Sequence, residues 1–288
     1  MHYLAKRIVL SSLVLFLMIL LSCAAIEELA KVQKPQVAID KVRFTGMTFE
    51  TLSLAFDVKI DNPNPLSATL AGFDYDFMIN GASFLSGQQV SEMVIESMGQ
   101  SMVEIPLTLK FEDLYKTYQT IVNQDSTRYT LATGLSFNLP VLGNTRLPLS
   151  HQGSLPLIKL PDIKIGSLDL KKLSLTGAEM ALKLDVSNPN AFNVILNKLN
   201  YGLKINGQSW AQGVTSQAMT VNEKGNGTLT IPISLNFLQM GRTVYGIVSG
   251  NEKLNYSFDG NVDLGSSLPL LNQMNLPINK SGAIKISK

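Results

Sequence analysis

A three-residue pattern, Asn-Pro-Asn, occurs twice in this chain of 288 residues and constrains its fold more than any other feature. It stands at Asn62-Pro63-Asn64 and again at Asn188-Pro189-Asn190. In both places it follows an alternating run of apolar residues, which is typical of a β-strand with one buried face. Proline has no N–H for a sheet ladder, and asparagine side chains close local turns on the backbone. The pattern therefore predicts where each of the two strands ends.

The two patterns belong to one internal repeat, in which each position has a counterpart 126 residues later. Without gaps, residues 35–111 align with residues 161–237 and give 19 identical pairs in 77 positions. Average composition would give roughly 5 identical pairs. Because the identical residues are mostly turn formers and apolar residues, the repeat predicts a fold and not a chemical activity.

Within each copy, the spacing of apolar residues predicts several strands and one helix. Both copies carry Asn-Gly, at 80–81 and 206–207, where a type I′ hairpin turn is expected. A later strand contains proline in both copies, at Pro106 and Pro232, which predicts a position at a sheet edge or a bulge at the proline. A stripe with helical spacing follows from Phe111, and the second copy repeats it less regularly. The sequence thus predicts a mainly β protein, made of two tandem antiparallel sandwiches of the fibronectin or immunoglobulin type, each with one α-helix.

The beginning of the chain resembles an export signal. Lys6 and Arg7 precede an apolar run of about 14 residues, which is short for a membrane-spanning helix of about 20 residues. The run ends at Leu-Leu-Ser-Cys, which resembles a bacterial lipobox, so we expect a lipid on Cys23, the only cysteine of the chain. An ordinary signal peptide with a chance cysteine and an uncleaved anchor helix are the alternatives. Ala24 stands where aspartate is the usual cue for inner-membrane retention, so the resemblance favours the outer membrane, on its periplasmic side.

These observations predict four segments along the chain. They are a lipoprotein signal peptide with its helix (1–22), a tether (23–34), a first sandwich domain (35–155) and a second sandwich domain (156–288).

The charge of the mature chain argues against a nucleic-acid partner. Removal of the signal takes Lys6 and Arg7 from 24 basic residues and leaves 22, which balance 22 acidic residues. Proteins that bind nucleic acid carry a basic patch, and no cluster larger than Lys171-Lys172 occurs. Charged residues make up only 16% of the chain, where about 25% is usual. Two apolar sandwich cores explain this content, and an apolar groove or a partner-facing sheet is the alternative.

Residues able to carry catalysis or bind metal are scarce. His151 is the only histidine beyond the signal, and we expect it on an exposed loop without a catalytic role. Asp57 and Asp61 flank the first strand end and, with the asparagines, offer oxygen ligands to Ca²⁺. Since Lys183 and Ser187 stand at the matching positions of the second copy, we interpret the carboxylates as an exposed structural edge. No catalytic residue, cofactor or metal site is predicted, and the asparagine side chains are expected to satisfy the backbone where each strand stops.

The ordered set of motifs resembles a tandem of late embryogenesis abundant type 2 domains, also called water stress and hypersensitive response (WHy) domains. The resemblance rests on Asn-Pro-Asn, a tyrosine-containing strand that ends in Asn-Gly, and an Ile-Pro strand before a helix, all present twice. The two later motifs are Tyr75 to Gly81 and Ile105-Pro106, with Tyr201 to Gly207 and Ile231-Pro232 as their counterparts. The resemblance implies a folded sandwich, a role in water stress or desiccation, and no defined active site. Two features depart from the plant proteins that named the family: Ala191 replaces the second proline of the motif, and a lipobox is present.

Two functional hypotheses of different class follow from the sequence. The first is a non-enzymatic, lipid-anchored envelope protein that acts in the water-stress response or as an interaction scaffold at the membrane surface, with an envelope protein as partner. The second is an envelope carrier or receptor that binds an apolar or lipid ligand between sheet and helix or between domains. A void lined by Phe111, Tyr115 and Tyr118 would favour the carrier. A hydrolase that depends on His151 is a third class, for which we expect no activity.

Overall fold

The structure is a computed structural model that describes residues 32–140, 142–241, 243–271 and 273–288. Within these ranges the chain is mainly β-strand, as predicted. The predicted signal helix and Cys23 lie outside the described residues. The strands are β1 (Gln36–Met47), β2 (Thr51–Asp61), β3 (Ala68–Ile79), β4 (Ala82–Ile95), β5 (Gln100–Lys110), β6 (Ser126–Leu139), β7 (Gly143–Pro156), β8 (Asp162–Leu173), β9 (Gly177–Ser187), β10 (Val194–Ile205), β11 (Gln208–Thr215), β12 (Met219–Val221), β13 (Asn226–Asn236), β14 (Leu254–Ser266), β15 (Met274–Ile284) and β16 (Ile286–Ser287).

The chain divides into two compact units. Helical residues that follow β5 group with the second unit, as does the turn that precedes β2. The described part of the first unit comprises residues 32–43, 54–107 and 126–155, and the second unit comprises 44–53, 108–125 and 156–288.

The first unit is built from two sheets. One sheet has the order β4-β3-β6-β7, and β3 pairs antiparallel with both β4 and β6. The other has the order β1-β2-β5. The alternating apolar residues of β2 point inward, and Phe56, Val58 and Ile60 are fully buried. Period-two burial on inner strands is the pattern of a sandwich core.

The second unit repeats this arrangement of sheets. Strands β13-β9-β8-β16 form one sheet, in which β13 and β8 flank β9 antiparallel and β16 lies parallel to β8. Strands β11-β10-β14-β15 form the other, and β12 also pairs with β10. The prediction of tandem antiparallel sandwiches is confirmed.

The helical stripes form short helices. Helix α1 (Phe111–Thr117) is followed by a 3-10 turn at Gln119–Ile121, and Phe111 and Leu114 are buried. In the second copy the stripe is divided into α2 (Phe237–Met240) and α3 (Thr243–Ser249). Gly241, with φ of 93°, separates these two helices. A left-handed glycine ends a helix readily, which explains the less regular spacing of the second stripe.

The turn and edge predictions are also confirmed. Asn80 and Gly81 have φ of 49° and 85°, and Asn206 and Gly207 have φ of 48° and 82°. Positive φ at both central residues is what a type I′ hairpin requires. The proline-containing strands β5 and β13 each lie at the edge of a sheet.

Candidate functional site

The asparagines of both motifs lie at buried corners directly after β2 and β9. Asn62, the first residue of its motif, donates its side-chain amide N–H groups toward three backbone carbonyls, with Nδ2–O distances of 2.9 Å to Leu66, 3.3 Å to Ile95 and 3.0 Å to Glu96. Its own backbone N–H donates to the carbonyl of Gly99 over 2.9 Å. One side chain thus joins the end of β2 to the turn between β4 and β5.

The corresponding corner in the second unit has the same geometry. Asn188 Nδ2 lies 2.7 Å from the carbonyl oxygen of Phe192, 3.2 Å from that of Val221 and 3.0 Å from that of Asn222. The backbone N–H of Asn188 donates to the carbonyl of Gly225 over 2.9 Å. Buried carbonyls left without a donor are costly, so these side chains have a structural task at both corners.

The second asparagine of each motif binds the segment that enters the unit. Asn64 accepts the backbone N–H of Gln33 on Oδ1 (2.6 Å) and donates from Nδ2 to the carbonyl of the same residue (2.8 Å). Asn190 makes the same pair of bonds to Lys159, both at 2.8 Å. A side-chain amide here replaces one residue of a neighbouring strand, and its polar atoms are occupied inside the protein.

The two prolines of the motif, Pro63 and Pro189, are half-buried between these asparagines. Their rings break the strand ladder where the asparagines take over the hydrogen bonding. The structure brings each set of three motif residues together at its own corner, and these polar atoms are directed at the backbone.

A groove of about 730 Å³ opens beside α1, and all of its lining residues belong to the second unit. Its apolar lining residues are Phe49, Phe111, Tyr115, Val122, Ile158 and Leu160. Its charged lining residues are Glu50, Lys110, Glu112, Lys116 and Lys159. An apolar concave surface with a few charged groups is the usual form of a small-molecule site.

Hydrogen bonds and burial fix the walls of this groove. Tyr115 donates its hydroxyl to the carbonyl of Ile158 over 2.9 Å, which holds the residues after β7 against α1. Burial and the negative charge of Asp125 raise the pKa of Tyr115 above its ordinary value, so the phenol stays protonated as a donor. The Lys159 amino group donates to the carbonyl of Gln124 over 2.9 Å, and burial lowers the pKa of Lys159.

The groove agrees only in part with the void that the sequence suggested. Phe111 and Tyr115 line it, whereas Tyr118 is not among its lining residues. Sequence reasoning missed Ile158 and Leu160, which lie in the stretch that closes the first copy. A solvated linker is usually polar, whereas the residues between Pro156 and Pro161 are mostly apolar. This apolar character was the signal that the stretch packs against another part of the protein.

His151 does not lie on an exposed loop, and that expectation is wrong. It lies within β7 and is half-buried, with its ring centroid 6.2 Å from that of Phe56 and 6.1 Å from that of Tyr129. Ser150, its neighbour, is exposed. Because successive residues of a strand point to opposite faces, the serine and histidine do not face each other as a nucleophile and its base would.

The carboxylates near the first strand end are engaged in ion pairs. Asp57 accepts two hydrogen bonds of 2.7 Å from Arg43, and this guanidinium lowers the pKa of the carboxyl group. Asp61 lies 3.2 Å from the amino group of Lys59. In the described part of the chain, no three residues among His, Cys, Asp and Glu come together in a metal-binding arrangement.

Cys23, the predicted lipidation site, lies outside the described residues. No helix within the ranges that the structure describes is long and apolar enough to span a membrane.

The fold and its paired asparagine corners define a β-sandwich protein made from one duplicated unit. The chain belongs to the late embryogenesis abundant protein family, whose type 2 model matches residues 57–153 and again residues 183–282. The predicted resemblance to a tandem of such domains is confirmed. The family description indicates no catalytic class.

Curated relatives match the chain over one unit's length. Late embryogenesis abundant protein Lea14-A of Gossypium hirsutum is 25% identical over 138 residues, which cover 48% of this chain and 91% of the relative. Desiccation-related protein PCC27-45 of Craterostigma plantagineum is 26% identical over 137 residues, which cover 48% and 91%. The solution structure of AT1g01470 from Arabidopsis thaliana is 19% identical, covers 45% of this chain and 85% of that chain, and has a TM-score of 0.38.

Proposed function

We propose that this protein is a non-enzymatic envelope protein that protects its cell during water stress. The observation that carries the proposal is the family match, which occurs twice in the chain, with relatives that are named for desiccation. The motif asparagines support a non-enzymatic role, because their polar atoms are occupied by backbone groups. The function then belongs to the surfaces of the two units, which act as an interaction scaffold for another envelope protein.

The proposed place of action is a membrane surface, reached through a lipid on Cys23. The sequence Leu20-Leu21-Ser22-Cys23 supports this anchor, and Ala24 favours the outer membrane on its periplasmic side. Acyl chains give membrane attachment without a spanning helix. Cys23→Ser is expected to release the protein from membrane fractions, with Ser22→Ala as the matched control that stays attached. Continued attachment of Cys23→Ser would contradict the lipoprotein proposal.

The stress role is tested with a strain that lacks the gene. We expect lower survival after drying and after osmotic shock, restored by the wild-type gene and by His151→Ala but only in part by Cys23→Ser. Pulldown of the anchored protein before and after shock then identifies a partner. Equal survival of the deletion strain and its parent under both stresses would overturn the proposal.

The groove beside α1 favours a second candidate function, the binding of an apolar ligand with an anionic head. Phe111, Tyr115 and Leu160 offer apolar walls, and Lys110 and Lys116 line the same groove. Lys116 is paired with Glu112 over 2.6 Å. The recess at the matching place of the second copy, lined by Thr176, Gly177 and Asn236, measures about 300 Å³.

Titration with a fluorescent fatty acid tests this second function. Leu160→Asp is expected to weaken binding about tenfold or more, because it places a carboxylate on an apolar wall of the groove. Val214→Asp, which alters an exposed apolar residue away from the groove, is the matched control. Equal affinity of the two variants would exclude the groove as the binding site.

A further inference from the structure

One contact in the second unit joins two residues whose counterparts are both exposed. Phe49 is 2% exposed and packs on Phe192, with ring centroids 6.3 Å apart and planes tilted by 47°. Both residues belong to the second unit. Asp125 and Lys224 form an ion pair in the same unit. The Phe49–Phe192 contact therefore shows how residues at these two repeat positions pack together.

The offset of 126 residues assigns a counterpart to each member of this contact. Leu175 corresponds to Phe49 and is 86% exposed, whereas Leu66 corresponds to Phe192 and is 38% exposed. Both counterparts are apolar, as the packed residues are. Each half of the Phe49–Phe192 contact thus occurs a second time, without its partner, among the described residues.

Neighbouring residues extend each exposed position into an apolar face. The backbone N–H of Phe237 donates to the carbonyl of Thr176 over 2.9 Å, which places Leu175 beside Leu238, itself 80% exposed. We name the surface of Leu175 and Leu238 the Leu175 face.

The opposite half of the contact is extended in the same way. Asn62 donates to the carbonyl of Leu66, and the N–H of Met98 donates to the carbonyl of Asn64 over 2.9 Å. The side chains of Leu66 and Met98 therefore stand at one corner of the first unit, and Met98 is 73% exposed. We name this surface the Leu66 face.

Charge favours an apolar partner at the Leu66 face. Met98 is the counterpart of Lys224. The basic member of the Asp125–Lys224 ion pair is therefore replaced there by an uncharged, apolar side chain. The terminal repeats of a repeat protein usually carry polar outer surfaces. These two faces are apolar instead.

We propose that the chain associates head to tail with a second copy of itself. The Leu175 face of one copy packs on the Leu66 face of the next, in the way that Phe49 packs on Phe192. Two different faces meet in such a contact, so each copy keeps one free face and the association continues into open chains of copies. Both faces thus bind the same occupant, another copy of this protein.

Sedimentation velocity of the full chain in a density-matched detergent tests the proposal. The wild type is expected to increase in average mass with concentration, without a limit at the dimer. Leu175→Asp and Leu66→Asp are each expected to weaken the association about tenfold or more, because each places a carboxylate in an apolar contact. Val214→Asp, at a residue that is 58% exposed outside both faces, is expected to associate as the wild type does.

A mixture of the two variants separates a head-to-tail contact from a symmetric one. Leu66→Asp keeps an intact Leu175 face and Leu175→Asp keeps an intact Leu66 face, so the mixture is expected to form dimers that grow no further. A wild type that stays monomeric at every concentration would overturn the proposal. Dimers of Leu66→Asp alone, as stable as those of the mixture, would show a symmetric contact and overturn it too. Binding to phosphatidylcholine vesicles that Leu175→Asp abolishes, with no self-association, would assign the face to lipid instead.

Discussion

The two units place an ion pair at the same positions with opposite charge. In the first unit Arg43 and Asp57 lie 2.7 Å apart, and in the second unit Asp169 and Lys183, each 126 residues later, lie 2.9 Å apart. The buried asparagines of the corners are, in contrast, identical in the two units. At an exposed position either order of charges gives an ion pair, whereas a buried group must match the fixed backbone groups around it. Geometry therefore restricts the residue types at the buried corners more strictly than at the ion pairs.

The largest effect is expected at the corners. Asn188→Ala and Asn62→Ala each remove one side chain that serves three backbone carbonyls, and each is expected to lower the free energy of unfolding by about 3 kcal/mol. Chemical denaturation measures the loss. Asn236→Ala, which removes the exposed cap of α2, is the control and is expected to lower stability by less than about 1 kcal/mol. A corner variant as stable as this control would show that the corner asparagines contribute no more stability than an exposed helix cap.

A smaller effect is expected when the charges of one pair are changed. Lys183→Asp places a carboxylate beside Asp169 and is expected to lower stability by about 1 kcal/mol or less, because the amino group is partly exposed. Adding Asp169→Arg recreates the order of charges found at Arg43 and Asp57 and is expected to restore stability. Thermal unfolding at low salt compares the single and double variants. A double variant less stable than Lys183→Asp would show that the ion pair at 169 and 183 requires the acidic residue at 169 and the basic residue at 183.

The pair in the second unit also predicts a dependence on pH. Hydrogen bonds from Lys183 and Ser167 lower the pKa of Asp169 to about 2, below the value of about 3.9 in unfolded chains. A lowered pKa in the folded state stabilises the fold above pH of about 4, and this contribution is lost as the pH falls toward 2. Between about pH 4 and pH 2, the midpoint temperature of thermal unfolding is expected to fall less steeply with falling pH for Asp169→Asn than for the wild type. Equal dependence of this midpoint on pH in both proteins would contradict the lowered pKa of Asp169.

The smallest effect is expected at Trp210, whose counterpart in the first copy is Phe84. Trp210 is buried, and its Nε1 has no hydrogen-bond partner among the residues that the structure describes. Trp210→Phe removes this donor along with some apolar contact, so the change in stability is expected to stay within about 1 kcal/mol. Denaturant titration followed by circular dichroism measures it. A loss as large as that of the corner variants would show that the indole is required for packing.

Much of the fold was predictable because its signals are local. Asn80-Gly81 specified a hairpin through its tolerance of positive φ, and Pro106 specified a sheet edge through its missing N–H. His151 was misplaced because it stands in a stretch punctuated by prolines, where the period of two is short and interrupted. Strand pairing places its ring beside Phe56 and Tyr129. The groove was predicted only in part, since Ile158 and Leu160 approach α1 from a distant part of the sequence.

The duplication, the strand and turn pattern and the family of this protein follow from the sequence, because hydrophobic period and turn chemistry act between neighbouring residues. Only the folded chain shows which carbonyls Asn62 and Asn188 serve, that the charged residues at 43 and 57 and at 169 and 183 form ion pairs, and which apolar residues are covered. Phe49 and Leu175 have the same local pattern, yet one is buried and the other exposed. Burial depends on what packs against a residue from elsewhere in the chain, which the local pattern does not encode.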